Sequence, residues 1–205
     1  MIVAGEASGD ALGGPLAEAL RRRLPSLRLS GVGGPAMRAA GVETWFDVAD
    51  LEVVGIAEAA KRLPLLRRVK ARILREADAR QIGAAVLIDY PGFNLRLAAS
   101  LRTRGVKVTQ FVAPQLWAWG RWRARRMARS LDNLLVILPF EPEFFQKWGI
   151  RSIFVGHPLI EALKNEPGEG AEERLGMEPG GGRPVIGVLP GSREREISLI
   201  LPRML

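Results

Sequence analysis

The stretch from Ala84 to Asn94 constrains the fold most. Five apolar residues, Ala84 to Ile88, run without a break into Asp89, Tyr90, Pro91 and Gly92. A short continuous apolar run bounded by turn residues suits a strand buried on both faces, as in parallel sheets. Pro91 and Gly92 stop the strand, and Asn94 is placed to cap a helix starting near Leu95. Asp89 then stands at the carboxyl end of a central strand, where open α/β sheets bind ligands. A carboxylate there is either a candidate general base or a cap of the next turn.

The same unit recurs along the chain. Ile2 to Ala4 reads as a short strand, followed by Gly5-Glu6-Ala7-Ser8-Gly9-Asp10 and a helical pattern through Leu12, Leu16 and Leu20. Gly5 permits a tight turn, Gly9 a close backbone approach, and Ser8 can cap the helix. This loop is an anion or ligand site, or an ordinary strand-to-helix turn. It is neither a P-loop nor Gly-x-Gly-x-x-Gly. Leu27 to Val32 alternates as a second strand, with Pro35 suited to the first position of a helix. Glu43 to Phe46, Val106 to Val112, Leu134 to Leu138 and Ser152 to Val155 read as further strands. Helical patterns cover Val53 to Gln81, split by Pro64, then Leu95 to Arg104, ended by Gly105, and Glu143 to Trp148. Strands alternating with helices predict an α/β fold with a Rossmann-like parallel sheet flanked by helices.

Residues 1–163 form the expected amino-terminal domain. Residues 164–183 are rich in Glu, Gly and Pro and read as a linker. Residues 184–205 restart the pattern with a strand over Pro184 to Leu189, a turn and a helix from Glu194. One strand and one helix cannot bury a core, so this is expected to be the incomplete start of a second α/β domain. At its turn, Gly191, Ser192 and Arg193 can grip a phosphate through backbone amides and a guanidinium.

Charge and composition narrow the partners. The net charge is +8 and the pI about 10.9, which favours phosphate ligands, acidic lipid or nucleic acid. With no cysteine and the single His157, thiolate and histidine-rich metal sites are excluded, no Asp-x-Asp pair occurs, and no bound metal is expected. Leu63, Leu65 and Leu66 beside Arg67 and Arg68 make a basic amphipathic segment. It reads either as a membrane-surface helix or as a helix whose apolar stripe covers the sheet. Trp117, Trp119 and Trp122 interleave with Arg121, Arg123, Arg125, Arg126 and Arg129. Such a stretch can stack bases, bind sugar rings or sit at a lipid interface, or it is a tryptophan-anchored loop before a solvated basic helix. No RNA-binding motif accompanies it, so nucleic acid is not the expected partner. No signal-peptide pattern and no bilayer-length uncharged apolar run occur, so a cytoplasmic protein is expected.

The succession Gly5-Glu6-Ala7-Ser8-Gly9-Asp10, Gly31-Val32-Gly33-Gly34-Pro35, Ile88 to Asn94, Pro114-Gln115-Leu116-Trp117-Ala118-Trp119, Leu138-Pro139-Phe140-Glu141, Val155-Gly156-His157-Pro158 and Leu189-Pro190-Gly191-Ser192-Arg193 closely resembles the lipid-A-disaccharide synthase family. The motifs span essentially the whole chain in the family's order. The resemblance implies a two-domain GT-B glycosyltransferase that moves diacylglucosamine from UDP to the 6-hydroxyl of diacylglucosamine 1-phosphate, with inversion and without metal or cofactor. It implies that Asp89 is the base. Gly5, Glu6, Ser8, Gly9, Asp10, Asn94, Gln115, Trp117 and His157 would contact substrate, and Gly191, Ser192 and Arg193 the nucleotide phosphates. Leu63, Leu65, Leu66, Arg67 and Arg68 would rest on acidic lipid at the inner face of the cytoplasmic membrane, and a homodimer is compatible with the family. The chain ends at Leu205, short of the family's length, so most of the nucleotide-binding half is expected to be missing and turnover by this polypeptide alone to be slight. The alternatives are another UDP-sugar GT-B enzyme, a transferase or an epimerase, and a fragment that only binds membrane or acceptor.

Overall fold

A computed structural model describes residues 1–51, 63–118, 120–164, 186–191 and 194–205. The chain divides into two compact units, Met1–Ala162 and Leu163–Leu205. The larger unit holds a seven-stranded sheet in the order β3-β2-β1-β4-β5-β6-β7, with every neighbouring pair parallel. The strands are β1 (Ile2–Ala4), β2 (Ser30–Gly33), β3 (Glu43–Asp47), β4 (Ala84–Ile88), β5 (Lys107–Phe111), β6 (Asn133–Val136) and β7 (Ser152–Phe154). The helices are α1 (Ala7–Arg23), α2 (Pro35–Ala39), α3 (Leu63–Ala79), α4 (Pro91–Arg102), α5 (Ala124–Ala128), α6 (Glu141–Gln146) and α7 (Pro158–Lys164).

Period-two alternation sends neighbouring strand residues to opposite faces. Ile2, Ala4, Ile88 and Phe111 pack with Ala17 of α1 and Met37 of α2. Val3, Leu87 and Val108 pack with Val69 and Ile73 of α3 and with Leu97 and Leu101 of α4. The sheet is therefore covered on both sides, which explains why β4 is apolar throughout. The strand order turns back between β1 and β4, which pair with Ile2 opposite Val86 and Ala4 opposite Ile88. The loops leaving these two strands lead to helices on opposite faces, and the carboxyl end of such a switch is the usual ligand position in these sheets.

Several boundaries differ from the sequence expectation. Helix α4 begins at Pro91, four residues before Leu95, because proline fits the first helical turn. Asn94 is consequently inside that turn and not its cap. Helix α6 likewise takes Pro142 into its first turn and starts at Glu141. Strand β2 begins only at Ser30. The basic segment expected from Val53 is described from Leu63 onward. Its stripe Val69, Ile73 and Ala77 is buried, and Leu65, Leu66 and Leu74 pack against the same core. Leu63, Arg67 and Arg68 remain exposed. In the second unit, residues 186–191 carry no strand, since a lone strand has no ladder partner among the described residues. The helix expected from Glu194 is α8 (Glu194–Met204).

Candidate active site

At the carboxyl end of β4 the backbone leaves ordinary geometry. Asp89 and Tyr90 both adopt left-handed φ, at 45° and 46°, and Val112 after β5 does so at 66°. Such conformations cost about 1–2 kcal/mol per non-glycine residue, and a β-branched residue is a clear outlier there. They persist because the surroundings hold them. The Asp89 amide donates to the Phe111 carbonyl at 2.8 Å. The Asp89 carbonyl oxygen accepts from Asn94 Nδ2 at 2.8 Å and from Gln110 Nε2 at 3.0 Å. Asn94 also donates to Ile88 O at 3.1 Å, and Gln110 to Val112 O at 3.2 Å. Both amide side chains are fully buried. The turn is thus cross-braced by β5 and by the first turn of α4.

The brace leaves the Asp89 carboxyl half-buried on the wall of a cavity of about 250 Å³, shared with Pro91, Val112, Gln115, Leu116 and Arg123. Burial pushes this carboxyl above its ordinary range, and a backbone hydrogen bond from Tyr90 opposes that shift. Desolvation makes the carboxylate a better proton acceptor than one in water. A carboxylate of raised proton affinity, on the wall of a cavity between the segments that follow β4 and β5, is equipped for general-base work.

The other expected site residues fall into distinct groups. Gly5 is needed for packing. A Cβ there would lie 2.7 Å from Tyr90 Cβ and collide with the ring. Gly5 therefore joins the β1 loop directly to the Asp89 turn. Gly9 brings α1 close to β1, where an added Cβ would meet Ala4 Cβ at 3.2 Å. Glu6 is the half-buried N-cap residue of α1, without a side-chain capping bond, and Ser8 is exposed in its first turn. Asp10 is turned toward α2. Its carboxylate is buried and accepts from the amides of Gly34 at 2.6 Å, Ala36 at 2.9 Å and Met37 at 3.1 Å. It caps α2 and ties α1 to it.

Gln115 is exposed on the cavity rim. Trp117 is half-buried, with its ring edge-on to Phe140 at 5.1 Å and its indole N–H 3.4 Å from Glu141 Oε1. Glu141 is itself buried and accepts from the Leu138 amide at 3.0 Å through Oε2. The Glu141 amide in turn donates to Leu138 O at 3.2 Å, so the two bonds close the turn that leads into α6. His157 follows β7 at the same end of the sheet, but β7 stands three strand positions from β4, roughly 14 Å at the usual spacing. Its Nδ1 accepts from the Leu159 amide at 3.3 Å. Gly191 is exposed in the second unit, and Ser192 and Arg193 lie outside the described residues.

Gln110 was not anticipated. The only sequence signal is an amide on the buried phase of a strand, between Val108 and Val112, where an apolar residue would otherwise stand. Among the described residues, no group of three or more His, Asp or Glu side chains could hold a metal ion. No described helix is long and apolar enough to cross a membrane.

Comparison with known proteins adds to this geometry. A family model described as lipid-A-disaccharide synthetase matches residues 1–205. The chain is 43% identical to a lipid-A-disaccharide synthase of Koribacter versatilis over 207 residues, covering all of this chain and 54% of that protein. It is 40% identical to one of Myxococcus xanthus, covering all of this chain and 53% of the relative. It is 44% identical to one of Burkholderia mallei, covering 98% of this chain and 52% of the relative. The chain spans about half the length of the curated relatives it matches.

Proposed function

Because the chain belongs to the lipid-A-disaccharide synthetase family, we propose that it supplies the acceptor side and the general base of an inverting glycosyltransferase of lipid A biosynthesis. The donor is UDP-diacylglucosamine and the acceptor diacylglucosamine 1-phosphate. The Asp89 carboxylate takes the proton of the acceptor 6-hydroxyl as its oxygen attacks the donor's anomeric carbon. The bond from that carbon to the UDP oxygen breaks, UDP leaves with the electron pair, and configuration inverts. The products are the β-1,6 disaccharide 1-phosphate and UDP. In this reading Gly191, Ser192 and Arg193 take up the charge growing on the departing diphosphate. No metal or cofactor enters. These residues span about half of each relative, and alone they turn over little or nothing.

The observation that carries the reading is the Asp89 turn: a carboxyl of raised proton affinity, held by two buried amides, on a cavity between the segments that follow β4 and β5. Exposed Leu63 and Trp122, with the net charge of +8, support contact with an acidic membrane surface, which would deliver both acylated substrates.

The test is Asp89→Asn in a chain of the relatives' full length. Transfer should fall about 10²–10⁴-fold, the usual contribution of a general base, with acceptor affinity little changed and EDTA without effect. A near-normal rate removes Asp89 from the role. Failure of the present chain to sediment with acidic liposomes removes the membrane contact.

A further inference from the structure

Beside the Asp89 cavity lies a second recess of about 430 Å³. It runs between the first turns of α4 and the segment 120–130, and Pro91 and Arg123 line both recesses. Its character is divided. Leu95, Met127 and Trp122 give it apolar walls, and Trp122 is 77% exposed, an unusual position for so large an aromatic surface. Arg96, Arg123 and Arg126 give it positive charge, and no carboxylate lines it.

Other arginines of this chain have carboxylate partners. Arg38 pairs with Asp47, Arg80 with Glu43 and Glu76, and Arg104 with Asp78. Among the described residues, Arg96 and Arg126 form no ion pair. Arginines that line one recess with no carboxylate among the lining residues leave it open to an anion. Arginine forks match the oxygens of a phosphate in two-pronged fashion. The apolar walls add affinity for a chain attached to that phosphate.

We propose that this recess is the subsite for a phosphate monoester carried on an apolar body, with Arg96 and Arg126 on the phosphate and Leu95, Met127 and Trp122 against the chain. Because Arg123 and Pro91 belong to both recesses, a ligand anchored here extends its uncharged end into the Asp89 cavity. Resting on the function proposed above, the ligand is the acylated acceptor and the recess orients its sugar through the phosphate.

The experiment titrates the 205-residue chain, by tryptophan fluorescence and calorimetry, with dodecyl phosphate below its micelle concentration, dodecyl glucoside, inorganic phosphate and a short RNA. Dodecyl phosphate should bind about tenfold or more tighter than either dodecyl glucoside or inorganic phosphate. Replacing Arg96→Gln and Arg126→Gln together should remove that advantage, at about tenfold for each charge-assisted contact. Both side chains are exposed, and an unchanged circular dichroism spectrum and melting temperature confirm that the variant folds. Equal affinity for the two dodecyl compounds, or an advantage that survives the double replacement, overturns the subsite. So does displacement of dodecyl phosphate by RNA at lower concentration. Diacylglucosamine 1-phosphate is then titrated. If it fails to bind while dodecyl phosphate binds in an arginine-dependent way, the acceptor identity falls and the subsite stands. If it binds equally to wild type and variant, the subsite falls and the acceptor reading stands.

Discussion

Gln110 Nε2 donates to the carbonyl oxygen of Asp89 at 3.0 Å, so a buried amide on one strand sets the backbone at the end of its neighbour. Asn94 reaches the same oxygen from α4 at 2.8 Å. The oxygen of each amide, Asn94 Oδ1 and Gln110 Oε1, has no hydrogen-bond partner among the described residues. Retaining two imperfectly satisfied buried amides costs stability. Their use is to fix a left-handed turn that presents a carboxyl to a cavity.

Gln110→Leu removes one donor to Asp89 and the donor to Val112 while keeping side-chain volume. Two strained residues lose their brace, so unfolding free energy should fall by about 1–3 kcal/mol, read from urea titration. In a chain of full relative length kcat should drop while acceptor affinity holds, since Gln110 acts only by positioning Asp89. A fall in affinity with kcat unchanged would contradict this.

Asp89→Asn should change stability in a pH-dependent way. The folded pKa of Asp89 is raised above its ordinary 3.8 by burial. Its contribution to stability is present below that ordinary value and lost as pH rises through the raised one. An asparagine tolerates the left-handed backbone and cannot ionise. The variant should be more stable than wild type at neutral pH, and the gap should close on acidification. Urea unfolding at several pH values checks the sign; a variant less stable at neutral pH contradicts it.

Gly5→Ala places a methyl group against the Tyr90 ring. Overpacking of this kind costs about 1–3 kcal/mol. In a Tyr90→Gly background the same change should cost much less, because the ring is gone. A thermal-melt double-mutant cycle measures the coupling. Equal cost in both backgrounds would show that Gly5 is needed for some other reason.

Asp10→Ala strips the caps from the amides of Gly34, Ala36 and Met37. The cost should be about 2–3 kcal/mol, at the upper end for a cap because the acceptor is charged and buried. Asp10→Asn should recover part of it. Full-length acceptor KM should not move in either variant once the protein is folded, since the carboxylate faces α2; a large KM change at unchanged stability would restore Asp10 as a substrate contact.

Much of this architecture is local and was readable along the chain. The apolar run Ala84 to Ile88 is a buried parallel strand because only a sheet covered on both faces accommodates it, and the turn at Pro91 puts Asp89 at its carboxyl end. Two helices start earlier than the local pattern suggests because of proline: Pro91 and Pro142 both sit in the first turn, where no intrahelical N–H bond is lost.

The order of strand and helix, the carboxyl at the end of β4 and the basic character of α3 were set by residue types and their periodicity, which act over a few positions. The partners were set by the tertiary structure. Asp10 meets amides 24 to 27 residues away, and Gln110 reaches a carbonyl 21 residues away. Whether Leu65 and Leu66 face lipid or core, and whether Asp10 faces substrate or α2, depends on which surfaces parallel pairing brings together. A side chain's chemistry belongs to its residue, but its neighbours belong to the fold, because hydrogen bonding and burial act through space and not along the chain.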